Sequence, residues 1–199
     1  MKNTTNKLIL SAIILVAALT GMSCKSKKNA VKSIDQVTGS TEITVPFSTK
    51  EYQSDKDNFR TSSSGKSPDE VTAKKIALQN AKSEMASMIQ TTIKKVTDQY
   101  TNQRTVGTTT DFSNKFEELS REVTNQQLVD IKTIGEKITL NPDGSYTFWV
   151  AIEANKQAIF DGISKSVSNN KKIEQDYDKK KFEEIFNQEM DKVAKERGN

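Results

Sequence analysis

The chain has no histidine and a single cysteine among its 199 residues. Those two scarcities remove zinc sites built from Cys and His, Ser-His-Asp and Cys-His catalytic groups, and any disulfide within the chain. Chemistry would have to rest on carboxylates, lysines, hydroxyls or a bound cofactor, so the expectation is a non-enzymatic protein with no catalytic residue, no cofactor and no metal. Charge of one sign is scarce too. Thirty Lys and Arg stand against 26 Asp and Glu, a formal net charge of +4, and loss of a leader carrying Lys2 and Lys7 would shrink it further. A balance that weak does not point to nucleic acid. With 34% hydrophobic residues the chain can build one domain of ordinary size plus tails, but two separate cores would be thinly supplied.

Long hydrophobic runs are limited to Leu8 to Leu19, about a dozen residues, short for a bilayer span and suited to the core of a signal peptide. Lys2 and Lys7 precede this run and Thr20-Gly21-Met22-Ser23-Cys24 follows it. Small residues just ahead of a cysteine resemble the lipobox of bacterial lipoproteins, although Thr20 and Gly21 depart from its strict form. The resemblance implies cleavage between Ser23 and Cys24 and lipidation of Cys24 by palmitate-type acyl chains. The competing reading is a membrane or buried helix with Cys24 a spectator thiol. Two or three acyl chains would hold the protein durably, at about 0.8 kcal/mol per buried methylene. Residues 24–41 then form a flexible tether, rich in Lys25, Lys27, Lys28 and Lys32. Surface-exposed lipoproteins of Bacteroidetes-type bacteria commonly carry acidic residues at this place, so basic ones favour an outer-membrane anchor facing the periplasm.

Residues 42–170 read as an α+β domain organised around one long amphipathic helix from Ser67 to Tyr100. Ser67 is expected to cap it, Pro68 to occupy its first position and Glu70 to complete a capping box. Ala73, Ala77 and Ala81 recur every four residues, a small-residue ridge that lets another layer approach closely. Ahead of it, Ile43, Val45 and Phe47 suggest a short strand limited by Pro46. Asp55, Asp57 and Asn58 lack the glycine and terminal Glu of a calcium loop and read as a plain polar loop. Phe59 to Gly65 reads as a second strand. After a Thr/Asn/Gln-rich connector at 101–110, Phe112, Phe116, Leu119 and Val123 mark a helix over 111–127. Alternation from Leu128 to Leu140, with a bulge near Gly135, then Asn141-Pro142-Asp143-Gly144 and the Tyr146 to Glu153 run, predict a β-hairpin. Phe148 and Trp149 fall on opposite faces, one of them expected against the long helix. Asn155 should cap a further helix ending near Ser168. Residues 171–199 form a charged amphipathic helix whose apolar stripe could dock on its own domain, on another chain or on a membrane.

Phe59-Arg60, Gly65, Ser67, the alanine ridge with Leu78 and the Asp143 to Val150 strand together resemble the LPP20-type bacterial lipoprotein family over about residues 58–154. That resemblance implies a membrane-anchored envelope domain with a short strand before an alanine-patterned helix and an antiparallel pair after it. It carries over no catalytic residue. The function expected is a protein-binding or self-associating module, with a protein partner or a homo-oligomer as its counterpart and the membrane reached through the N-terminal lipid. The alternative is a small-ligand carrier or enzyme using a helix/sheet pocket, for which Asp130, Glu136 and Glu153 are the candidate polar groups.

Overall fold

The computed structural model describes residues 43–103, 109–129 and 131–197. Ser23, Cys24, the whole of the tether and Asp130 lie outside the described residues. The body is an α+β fold in which one antiparallel sheet of three strands is backed by helices. A 3-10 turn at Lys50–Tyr52 precedes β1 (Asn58–Ser67), α1 (Glu70–Gln103) and α2 (Thr109–Gln127). β2 (Lys132–Leu140), β3 (Tyr146–Asn155), α3 (Lys156–Ser168), the single turn α4 (Lys171–Glu174) and α5 (Lys179–Arg197) complete it.

β3 occupies the centre of the sheet, in the order β1-β3-β2. Its composition explains the position: Phe148, Val150, Ile152 and Ala154 are buried on the helix side, and Ala151 is buried on the other. A strand apolar on both faces must be covered on both, whereas the Ser/Thr/Lys-rich β1 and β2 tolerate the edges. The Asn141-Pro142-Asp143-Gly144 hairpin forms as expected. Gly144 takes the left-handed conformation (φ 79°), and Asn141 N–H is donated to the Ser145 carbonyl at 2.7 Å. The bulge also forms, as a register shift between Thr133 and Gly135.

α1 crosses the inner face of the sheet with Ala73, Ala77 and Ala81 fully buried beneath it. Gly65 of β1 is what allows the close approach, since any Cβ there would lie 2.4 Å from the Ala73 carbonyl oxygen. Beyond the sheet α1 continues for several turns as Met85, Ile89, Ile93, Val96 and Tyr100. There it packs with Phe112, Phe116 and Val123 of α2, and with Phe182, Ile185, Phe186 and Met190 of α5, in one continuous core. Phe116 and Phe182 have ring centroids 4.7 Å apart, with Tyr100, Phe112 and Tyr177 around them. The C-terminal stripe is thus docked on its own domain.

Four expectations need correction. The helix cap is Asp69, whose carboxylate accepts the Thr72 N–H and hydroxyl at 2.7 Å each. Ser67 cannot serve because it is the last residue of β1, paired with Tyr146, and its hydroxyl instead accepts the Asp69 N–H at 3.1 Å. Pro68 and Glu70 move accordingly, Pro68 lying before the helix and Glu70 opening it. No strand forms at Ile43 to Phe47, because Phe47 turns with φ 61°, which an extended strand does not accommodate. Leu128 belongs to the turn that follows α2 rather than starting β2: its N–H is donated to the Thr124 carbonyl at 3.1 Å, and its side chain is buried.

Candidate functional site

The pleat divides the sheet into two unlike faces. The inner one carries Phe59, Gly65, Phe148, Val150 and Ile152 toward α1. The outer one carries Arg60, Ser62, Ser64 and Lys66 on β1, Thr147, Trp149, Ala151 and Glu153 on β3, and Lys132, Gly135 and Lys137 on β2.

Across one end of the outer face runs a row of charge. Arg60 Nε donates to Glu153 Oε2 at 2.7 Å, Lys132 Nζ to Glu153 Oε1 at 3.0 Å, and Arg60 Nη1 to Asp55 Oδ2 at 2.7 Å. Arg60, Glu153 and Lys132 are cross-strand neighbours by register, so their pairing follows from the fold. Burial alone would raise the Glu153 carboxyl, but the bonds and charges of Lys132 and Arg60 outweigh it and hold the group below the ordinary carboxylate range. Asp55 behaves likewise. Burial raises it, and the N–H groups of Asp57 and Asn58 with the Arg60 guanidinium more than reverse that. Asp55 Oδ1 accepts those two N–H groups at 2.8 Å each, which makes the 55–58 segment an Asx turn feeding β1, in keeping with the plain-loop reading.

Next to this row the chain that leads into the domain is pinned to the sheet. The Phe47 ring lies where a Cβ of Gly135 would stand, 2.6 Å from that position, and meets Tyr52 edge-on at 4.8 Å. The Ser62 hydroxyl donates to the Phe47 carbonyl at 3.5 Å. Gly135 therefore serves two ends, a bulge and a seat for an aromatic ring. Sequence reasoning found the first and missed the second, although a glycine inside a strand is a recognised sign of close approach.

The candidate carboxylates do not converge. Glu153 belongs to the outer face, whereas Glu136 lies on the inner side of β2 and pairs with Lys74 of α1 at 2.9 Å. Two of the open clefts are wide enough for a small ligand. One, of about 710 Å³, between the 3-10 turn and α5, is lined by Lys50, Arg60 and Lys195 against Glu51, Asp55 and Asp191. The other, of about 630 Å³, sets Lys115 and Lys172 against Asp111, Glu118 and Asp176. Each mixes both signs, so neither selects a charged ligand by field. Among the described residues no group of three potential ligands is placed to hold a metal ion, and no helix is long and apolar enough to cross a membrane.

The two edges of the sheet differ. On β1 outward groups at Asn58, Arg60 and Ser64 are occupied: the Ser54 hydroxyl accepts the Arg60 N–H at 2.9 Å and donates to the Arg60 carbonyl at 3.1 Å. Asp55 N–H is donated to the Asn58 carbonyl at 3.0 Å and the Asn80 amide to the Ser64 carbonyl at 3.0 Å. On β2, among the described residues, no loop or side chain performs that service, and Ile138 and Leu140 are 42% and 64% exposed. Compared with known protein families, with curated proteins and with solved structures, the chain matches none.

Proposed function

We propose that this chain is a lipid-anchored protein of a bacterial envelope, held at the membrane through Cys24 and acting by contact with protein rather than by reaction. The observation that carries the anchor is the single cysteine of the sequence, placed directly behind the one long apolar run and ahead of a polar, lysine-rich stretch. The Lys25, Lys27, Lys28 and Lys32 cluster suits the periplasm-facing leaflet of an outer membrane, where each cation near anionic head groups contributes about 1 kcal/mol.

Support for action by contact comes from the site itself. Glu136 and Glu153 lie on opposite faces of the sheet, each paired with its own lysine or arginine, so the two carboxylates cannot act together on one substrate as general acid and base. The resemblance to the LPP20-type family agrees with this reading in both location and the lack of a shared chemistry. Mass spectrometry of the N-terminus of protein purified from its native membrane tests the anchor. Thioether-linked diacylglycerol on Cys24 is the expected result. An uncut precursor, or a free Cys24 thiol with the protein in the aqueous phase of a detergent partition, would overturn it.

A further inference from the structure

The exposed edge of β2 is blunted over only half its length. Lys132 and the bulge between Thr133 and Gly135 break the regular ladder at its start, a common device against strand addition. From Glu136 to Leu140 pairing with β3 is regular, and the side chains presented to solvent include two large apolar ones, Ile138 and Leu140. At the opposite edge Ser54, Asp55 and Asn80 occupy outward backbone groups of Asn58, Arg60 and Ser64 on β1. That edge is partly closed by side chains and loop, whereas the regular half of β2 is left open beside two exposed apolar side chains.

We propose that the mature chain self-associates through this open half-edge, with the 137–141 stretch of one copy pairing antiparallel with the same stretch of a second copy, so that the two three-stranded sheets become continuous. This deepens the contact reading above and does not depend on the lipid. Self-complementarity selects the partner and the register. Residues directly opposite in an antiparallel pair share a face, so a two-fold axis at Thr139 sets Ile138 against Leu140 of the second copy, twice, on the inner side. On the outer side Thr139 meets Thr139 of the second copy and Lys137 meets its Asn141. Moving the axis to Lys137 or to Glu136 would oppose like charges. Moving it to Ile138 would set Leu140 against a glutamate already held by Lys74.

The test uses the chain from residue 24 onward with Cys24→Ser, which removes the only thiol and the lipid together. Sedimentation equilibrium should give a mass rising toward double between roughly 10 μM and 1 mM. Leu140→Lys, at a solvent-exposed position, should weaken association about tenfold or more with an unchanged circular dichroism spectrum. Thr139→Cys in the same background should form a disulfide-linked dimer on mild oxidation much faster than Asn125→Cys, on the exposed side of α2. A chain that stays monomeric at 1 mM, a dimer indifferent to Leu140→Lys, or equal cross-linking from the two cysteines would each overturn the proposal. Loss of the lipid in native protein would leave it standing and would overturn only the anchor.

Discussion

Replacing Gly65 by alanine tests the central contact of the fold. An added Cβ would stand 2.4 Å from the Ala73 carbonyl oxygen, 2.5 Å from the Ala77 amide nitrogen and 2.8 Å from the Ile76 Cβ. Two of the three obstacles are backbone of α1 and cannot rotate away. Restoring a 3.4 Å contact requires the helix to lift by about 1 Å from the sheet, along a ridge where Ala73, Ala77 and Ala81 are wholly buried. Overpacking of this kind costs about 1–3 kcal/mol, and the rigid backbone places Gly65→Ala near the upper end. With a urea slope of about 2 kcal/mol/M, the unfolding midpoint should fall by about 1.5 M without a change in slope. Gly162→Ala supplies the comparison: its nearest obstacle is Val123 Cγ1 at 2.7 Å, a side chain that can turn. The clash there is offset by the roughly 1 kcal/mol gained when alanine replaces glycine inside a helix. Urea titrations of the two variants in the Cys24→Ser chain decide the matter. A Gly65→Ala protein within about 0.5 kcal/mol of its parent, or no worse than Gly162→Ala, would refute the close-approach argument.

Tyr100→Phe removes a hydroxyl that donates to the Asp176 carbonyl and accepts the Asp178 N–H, each at 2.7 Å; a loss of about 1–2 kcal/mol is expected in the same titration. Asp55 and Glu153 titrate below their ordinary values in the folded chain, so on acidification the unfolded chain binds protons first. Their stabilisation is complete above about pH 5, clear of the unfolded carboxylate values, and is lost as pH falls through the folded ones. Arg60→Gln should flatten that acid limb of a stability–pH curve, and an unchanged limb would count against the charge row. Phe47→Ala should free the entering segment, with trypsin cleavage after Lys50 accelerating roughly tenfold while cleavage within α1 is unaffected.

What could be read from the residues and what could not divide along a physical line. The Ala73/Ala77/Ala81 ridge, the Asn141-Pro142-Asp143-Gly144 turn and the alternation of Tyr146 to Glu153 are local signals, and the structure follows them. The Asn155 cap is local as well: its side-chain oxygen accepts the Ala158 N–H at 3.0 Å. Ser67 misled because a serine ahead of Pro-Asp-Glu looks like a cap, and only the strand pairing with Tyr146 shows it is committed elsewhere. The seat of Phe47 on Gly135 joins residues far apart in the chain, and nothing in either neighbourhood names the other. The same holds for the Arg60–Glu153–Lys132 row, which exists only once β3 has been placed between β1 and β2. The open edge was equally hidden, because strand order decides which strand lacks a neighbour. A hairpin signal says that β2 and β3 pair, but not that β1 takes the far side of β3.

The proposed anchor and the proposed edge pairing would bear on each other through concentration. A pairing of about five residues, with one apolar contact repeated by symmetry, is weak for molecules free in three dimensions, since most of its gain is spent on lost translational and rotational freedom. Acyl chains on Cys24 would remove much of that cost in advance by confining every copy to one surface at one height, which raises the effective concentration as a short linker does. The Phe47 seat acts in the same direction. It fixes the chain at Phe47 against the outer side of β2, on the strand whose edge is open, so with Cys24 lipidated as proposed the residues between Cys24 and Phe47 would set the reach from lipid to edge. Freeing Phe47 should then weaken association at a membrane more than in solution. Comparing Phe47→Ala with its parent in vesicles and in solution, by the rate of Thr139→Cys cross-linking, measures that difference. Equal effects in the two settings would mean that tether and edge act independently.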